Sequence, residues 1–222
     1  MLDFNLLLEA LANKRPVFHS EADFQHALAW ELQLSDPNID IRLEYRPSWL
    51  DRRNYVDIWV MEGDTATAVE LKYKTRRIDM SFGGERFALL NQSAQDVGRY
   101  DYVKDIERVE RVVAAGRQVV GYAIILTNDS GYWSLPRKSD SVDANFRIHE
   151  GRVLSGLLGW DPRASEGTRR GRMDSINLSG SYRLAWRGYS GSDGPQPREF
   201  RYALVQVSGQ RERIPTEDEN TA

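Results

Sequence analysis

Cysteine is absent from the 222 residues, so there is no disulfide framework, no thiolate zinc site and no cysteine nucleophile. Histidine is nearly absent. The three present, His19, His26 and His149, have no metal-ligand spacing to one another. Any resident cation is therefore expected to be a hard one held by carboxylates, Mg²⁺ or Mn²⁺. No stretch approaches 18 apolar residues free of charge, so no membrane span is expected. The opening Met1-Leu2-Asp3-Phe4-Asn5 carries an early acid and no basic run, unlike a secretory signal. Phosphate-binding glycine loops, dinucleotide fingerprints and nucleophile elbows are missing, which argues against a nucleotide cofactor. A strong charge of either sign is missing too. The net charge of −3 excludes coating of nucleic acid by bulk attraction but leaves room for a local basic groove. Together these absences suit a cytoplasmic location.

What is present is ordinary for a globular chain: 41% hydrophobic, 10% aromatic and 28% charged residues. The length suits one large domain, or one domain with an appendage. Residues 3–13 read as a short amphipathic helix ended by Lys14-Arg15-Pro16. Ser20 reads as the N-cap of a second helix running to about Leu34, with Asp23 as its capping-box partner. Strands are expected at Ile39–Tyr45, Asn54–Met61 and Ala66–Lys74. A loop should follow over Thr75–Glu85, then a long helix over Glu85–Ala115 stopped by Gly116. Val119–Leu126 is an almost unbroken apolar run, as in a strand buried on both faces. After about residue 133 the texture becomes β-rich, with strand candidates at Phe146–Leu154, Ile176–Tyr189 and Glu199–Val207. The expected division is an α/β core over 1–133, a β-rich extension over 134–207 on or beside it, and a disordered acidic tail over 208–222.

Chemistry concentrates where two β-rich runs flank Gly63-Asp64, a dipeptide suited to a two-residue hairpin turn. Such a turn pairs Glu62 with Thr65, Val60 with Thr67 and Asp57 with Glu70. Lys72 then lies on the same strand face as Glu70, because side chains alternate with period two. Directly opposed side chains have Cβ atoms about 5 Å apart. Two carboxylates there repel, and apolar surroundings sharpen the repulsion. A hairpin that only had to fold would do better with one of them replaced; a divalent cation between them removes the conflict. Two acids and a lysine converging on one point suit phosphodiester hydrolysis. The metal would polarise the phosphate and activate water, and the lysine would stabilise developing charge or help deprotonate the water. The plain alternative is that Glu-x-Lys in a strand is a solvent-facing ion pair.

Asp57 followed by Glu70-Leu71-Lys72 on the next strand resembles the signature of the PD-(D/E)XK nuclease superfamily. The expected αβββαβ order, with a mixed central sheet, is similar to that restriction-endonuclease-like core. The resemblance covers about residues 20–127. It implies that Asp57 and Glu70 bind the metal, that the Leu71 carbonyl completes the site, and that Lys72 is the catalytic lysine. It further points to Glu21 on the preceding helix and to Gln92 or Gln95 on the following one, Gln95 being preferred. Val56 stands where the family's proline would be. The implied activity is Mg²⁺- or Mn²⁺-dependent cleavage of nucleic acid, DNA favoured. The alternative is an inactive nuclease-fold module that binds or scaffolds. A homodimer or a protein partner stays open.

Arg46, Arg52, Arg53, Lys74, Arg76 and Arg77 gather around the expected site and would suit a phosphate backbone; Arg99 joins them from the helix stripe Gln92, Gln95, Arg99, Tyr102. Glu107, Arg108, Glu110 and Arg111 read as a solvated charged face. Arg163, Arg169, Arg170 and Arg172 read as a basic loop. Trp160, Trp186 and Tyr189 read as packing aromatics rather than a base-stacking platform.

Overall fold

The computed structural model describes residues 2–49, 55–191 and 199–209. Helix α1 (Phe4–Lys14) starts at Asp3, whose carboxylate accepts from the Asn5 and Leu6 amides. Helix α2 (Glu21–Ser35) is capped by Ser20, which accepts from the Asp23 amide, while Asp23 accepts from the His19 amide. This exchange of caps resembles the one expected from Ser20 and Asp23.

Strands β1 (Asp40–Tyr45), β2 (Val56–Glu62) and β3 (Thr65–Lys74) form an antiparallel meander. Gly63 takes φ +58° at the β2–β3 turn, and Glu62 pairs with Thr65 and Val60 with Thr67, the register expected from the Gly63-Asp64 turn. Next come β4 (Ile78–Phe82) and β5 (Glu85–Leu89), a separate two-stranded hairpin. The loop expected over 75–85 is thus half strand, and the helix expected from Glu85 begins ten residues later. The reason is local: Gly83 and Gly84 both take positive φ, the requirement of a tight hairpin turn, and Phe87 and Leu89 alternate into the core. Helix α3 (Gln95–Ala115) then crosses over to β6 (Val119–Thr127), which runs parallel to β3.

The later segment also departs from the expected boundaries. A short 3₁₀ turn, Ala144–Phe146, precedes β7 (Val153–Leu158), so most of the strand expected over Phe146–Leu154 is irregular. One turn of helix, α4 (Glu166–Arg169), leads to β8 (Ile176–Arg183) and β9 (Trp186–Ser190), two strands where one was expected. The last strand is β10 (Phe200–Ser208). Residues 210–222 of the expected tail lie outside the described residues.

The protein is mixed α/β, with a six-stranded mixed sheet in the order β1-β2-β3-β6-β10-β9. β10 is antiparallel to β6, so strands from the segment after residue 133 continue the same sheet as β1–β3. One sheet face presents Ile58, Val60, Val69, Leu71, Ile124 and Leu126 to α1 and α2. The other presents Ala68, Ala123, Ile125, Ala203 and Val205 to α3. The β7–β8 hairpin covers the far side of α3 through Leu154, Leu158, Ile176 and Leu178. Among the described residues no helix is long and apolar enough to cross a membrane.

Candidate active site

The site lies where β2 and β3 part. Their paired register runs from the Gly63 turn to Ile58 opposite Val69, and Asp57 and Glu70 are the next positions out. There the Asp57 carboxylate replaces a backbone acceptor, taking the Leu71 amide at 2.6 Å. Two residues further on, Glu21 takes the Tyr73 amide at 2.8 Å. Two carboxylates therefore cap the free strand edge that opens at the split. Amide and carbonyl of one strand residue point the same way, so the Leu71 carbonyl also faces this notch. The Lys72 ammonium lies 3.2 Å from it.

Helix α2 ties the notch together. Glu21 and Gln25 are one turn apart on its surface. Glu21 holds β3, and Gln25 donates to the Asp57 carbonyl at 2.7 Å and to Glu44 at 2.9 Å. Helix α3 closes the opposite side. Asp105 meets Lys72 at 2.9 Å, and Arg108 meets Glu70 at 2.7 Å and Asp105 at 3.5 Å. Lys72 also lies 3.9 Å from Glu21. The side chains of Glu70 and Asp105 are 1% and 4% exposed, so these charges are almost fully dehydrated.

Four carboxylates, Glu21, Asp57, Glu70 and Asp105, thus share two cations, Lys72 and Arg108. Burial raises the Asp57 carboxyl to about 6, against the pull of the Leu71 amide and Lys72. Burial, then the charges of Asp105 and Asp57, raise Glu70 well above the ordinary carboxylate range despite Arg108. Asp105 is raised by burial as well. Burial works against the Lys72 ammonium, but Asp105 and Glu21 outweigh it and hold the amine above its ordinary value. Lys72 is a fixed cation at neutral pH. Glu70 Oε1 is buried with no hydrogen-bond partner. An orphaned carboxylate oxygen in a notch with surplus negative charge suits a divalent cation. The donors available are Asp57, Glu70 and the Leu71 carbonyl. Among the described residues no cluster of three His, Asp or Glu side chains forms a ready cage. Mg²⁺, which keeps several waters, suits such a sparse donor set.

The structure brings together Asp57, Glu70, Leu71, Lys72 and Glu21. Gln95 belongs elsewhere: it donates to Asp129 at 2.6 Å and accepts from Arg99 at 3.3 Å. Arg99, expected to meet phosphates at the surface, is 3% exposed and bonded to Asp143 and the Gly131 carbonyl, so it is no surface cation. Lys74 is half-buried at the end of β3, and Arg76 and Arg77 are exposed just beyond it. Arg52 and Arg53 lie outside the described residues.

Arg108 and Glu110 are not the solvated face expected of them. Arg108 holds Glu70, and Glu110 is buried, accepting from the Ser179 and Gly180 amides and the Tyr182 hydroxyl. In the basic loop, Arg172 pairs with Asp101 at 2.6 Å and Arg163 with Asp161 at 2.8 Å. Trp186 and Tyr189 are buried, and Trp160 stacks on Tyr100. Asp105 and Gln25 escaped the sequence reading, and Arg108 was read there only as part of a solvated face. The stripe Gln95, Arg99, Tyr102, continued by one turn, reaches Asp105 and then Arg108. Comparison with protein-family models, curated proteins and solved structures finds no match to this chain.

Proposed function

We propose that the chain is a metal-dependent nuclease with a restriction-endonuclease-like core, hydrolysing phosphodiester bonds in nucleic acid, DNA first among the substrates to test. The observation that carries this reading is the orphaned, buried Glu70 Oε1 beside Asp57, in a notch holding twice as many carboxylates as cations. The order α2, β1, β2, β3, α3, β6, with the acids and lysine on the second and third strands, supports the resemblance drawn from the sequence.

Asp57, Glu70 and the Leu71 carbonyl would hold Mg²⁺ or Mn²⁺. The bound ion would polarise the phosphate and lower the pKa of a water. Lys72, held protonated by Asp105 and Glu21, stabilises negative charge on the phosphate oxygens rather than acting as a base. Glu21 and Gln25 fix the strand ends, and so the position of Asp57 relative to Lys72. Asp105 orients the Lys72 ammonium.

Purified protein should cut labelled linear, circular, single-stranded or duplex nucleic acid with Mn²⁺ or Mg²⁺ and not with EDTA. Glu70→Ala and Lys72→Ala should each abolish cutting. Retained cutting by both variants would sink the assignment. A second reading, a non-catalytic module on the same core, is favoured by the Arg108–Glu70 and Lys72–Asp105 pairs, which compensate part of the charge within the fold. It requires that neither cation raises the melting temperature; a live site requires that one does.

A further inference from the structure

A second polar concavity lies at the N-terminal end of α3, where Gln95 and Arg99 line it. It is a cavity of about 360 Å³ whose walls include Arg76, Gln95, Arg99, Asp129, Arg137 and Arg147. Four guanidiniums thus share one lining carboxylate among the described residues. Asp129 is already occupied by Gln95 at 2.6 Å and the Gly131 amide at 2.9 Å, with Arg76 at 3.9 Å. Asp143 is divided between Arg99 and Arg147. Arg99 is 3% exposed, and its Nε has no hydrogen-bond partner. Burial and then the charge of Arg99 lower the basicity of Arg147, against the opposing pull of Asp143 and Asp96.

The first turn of α3 carries its own acid, Asp96, which accepts from the Val97 amide at 2.9 Å, so the helix end is already compensated and the excess positive charge of the cavity comes from its arginines. Guanidiniums and an orphaned buried N–H donor are groups that hold a phosphate.

Arg99 and Asp105 share α3, six residues apart, about 9 Å along its axis at 1.5 Å per residue and about 120° apart around it at 3.6 residues per turn. We propose that this cavity is a phosphate subsite for the substrate strand, taking a backbone phosphate away from the bond at the Asp57–Glu70–Lys72 notch. The identity of the strand rests on the nuclease reading; the anion site does not.

The test is Arg76→Gln/Arg137→Gln. Both residues are exposed, Arg76 by 60% of its side chain, so the fold should survive. The control is Arg111→Gln/Arg117→Gln, which removes equal charge from exposed positions at the other end of α3. Fluorescence anisotropy reads binding of short labelled DNA strands in EDTA across a salt series. The cavity variant should bind about 10-fold more weakly, and its salt slope should fall by about one to two, with the control near wild type. Inorganic phosphate should compete with DNA for wild type and not for the variant. Equal loss in variant and control, or no loss, overturns the subsite. If wild type never cuts with Mn²⁺ yet the cavity variant alone loses binding, the nuclease reading falls and the subsite stands. If wild type cuts and the cavity variant binds and cuts as wild type, the subsite falls and the nuclease reading stands.

Discussion

Asp57 carries a pH signature that can be read without any substrate. Its folded-state carboxyl sits at about 6, above its ordinary value of 3.8. The folded state therefore holds the proton more tightly than the unfolded chain. Its stabilising effect is fully present below about pH 4 and is lost as pH rises through about 6, on the order of 2 to 3 kcal/mol in all. Asp57→Asn keeps the acceptor for the Leu71 amide but does not titrate. Relative to wild type it should gain more stability at pH 7 than at pH 5, read from urea midpoints in EDTA. A gain independent of pH would contradict the burial that raises Asp57. The Arg108–Glu70 pair makes the complementary case. Arg108→Ala leaves a dehydrated carboxylate with a weaker counter-charge and should cost about 3 to 5 kcal/mol. Adding Glu70→Gln should recover much of that loss, a coupling that a double-mutant cycle measures directly.

At the scale of elements, α3 is the piece whose role was hardest to read. Its existence was plain from periodicity, but its two neighbours were not. A helix with charge all along one side looks solvated when nothing indicates a second layer above it. Here the β7–β8 hairpin supplies that layer, and Glu110 fastens it through two amides and a hydroxyl. Glu110→Ala should leave these buried donors unsatisfied, cost about 2 to 3 kcal/mol, and speed hydrogen exchange at Ser179 and Gly180 before the main sheet is affected. Unchanged exchange there would mean that apolar packing alone holds the hairpin. The β2–β3 hairpin was legible because its turn sets its register: one dipeptide, Gly63-Asp64, aligned Asp57 with Glu70. Asp105 and Arg108 were not, because they reach the site through tertiary packing that no local rule encodes. The β4–β5 hairpin was hidden differently. Glu85, Arg86, Ala88 and Leu89 are good helix formers, and the fold overrides that preference by burying Phe87 and Leu89 on one strand face.

For the whole molecule, the change in texture near residue 133 does not mark where the sheet ends. β10 covers one edge of β6 along its length, from Arg201 opposite Thr127 to Ser208 opposite Val120. A fragment of residues 1–133 should therefore fail to fold, giving a disordered circular-dichroism spectrum or an insoluble product. A folded, monomeric fragment would show the later segment to be dispensable. The position of β10 also has a temporal side. A ribosome adding about 5 to 20 residues per second needs several seconds to go from Thr127 to Phe200. Hairpins close in microseconds. Throughout that interval the almost wholly apolar strand Val119–Thr127 waits beside β3 with its other edge unpaired. Synthesis rate and chaperone supply over those seconds, more than the stability of the finished protein, should set how much of it is recovered soluble.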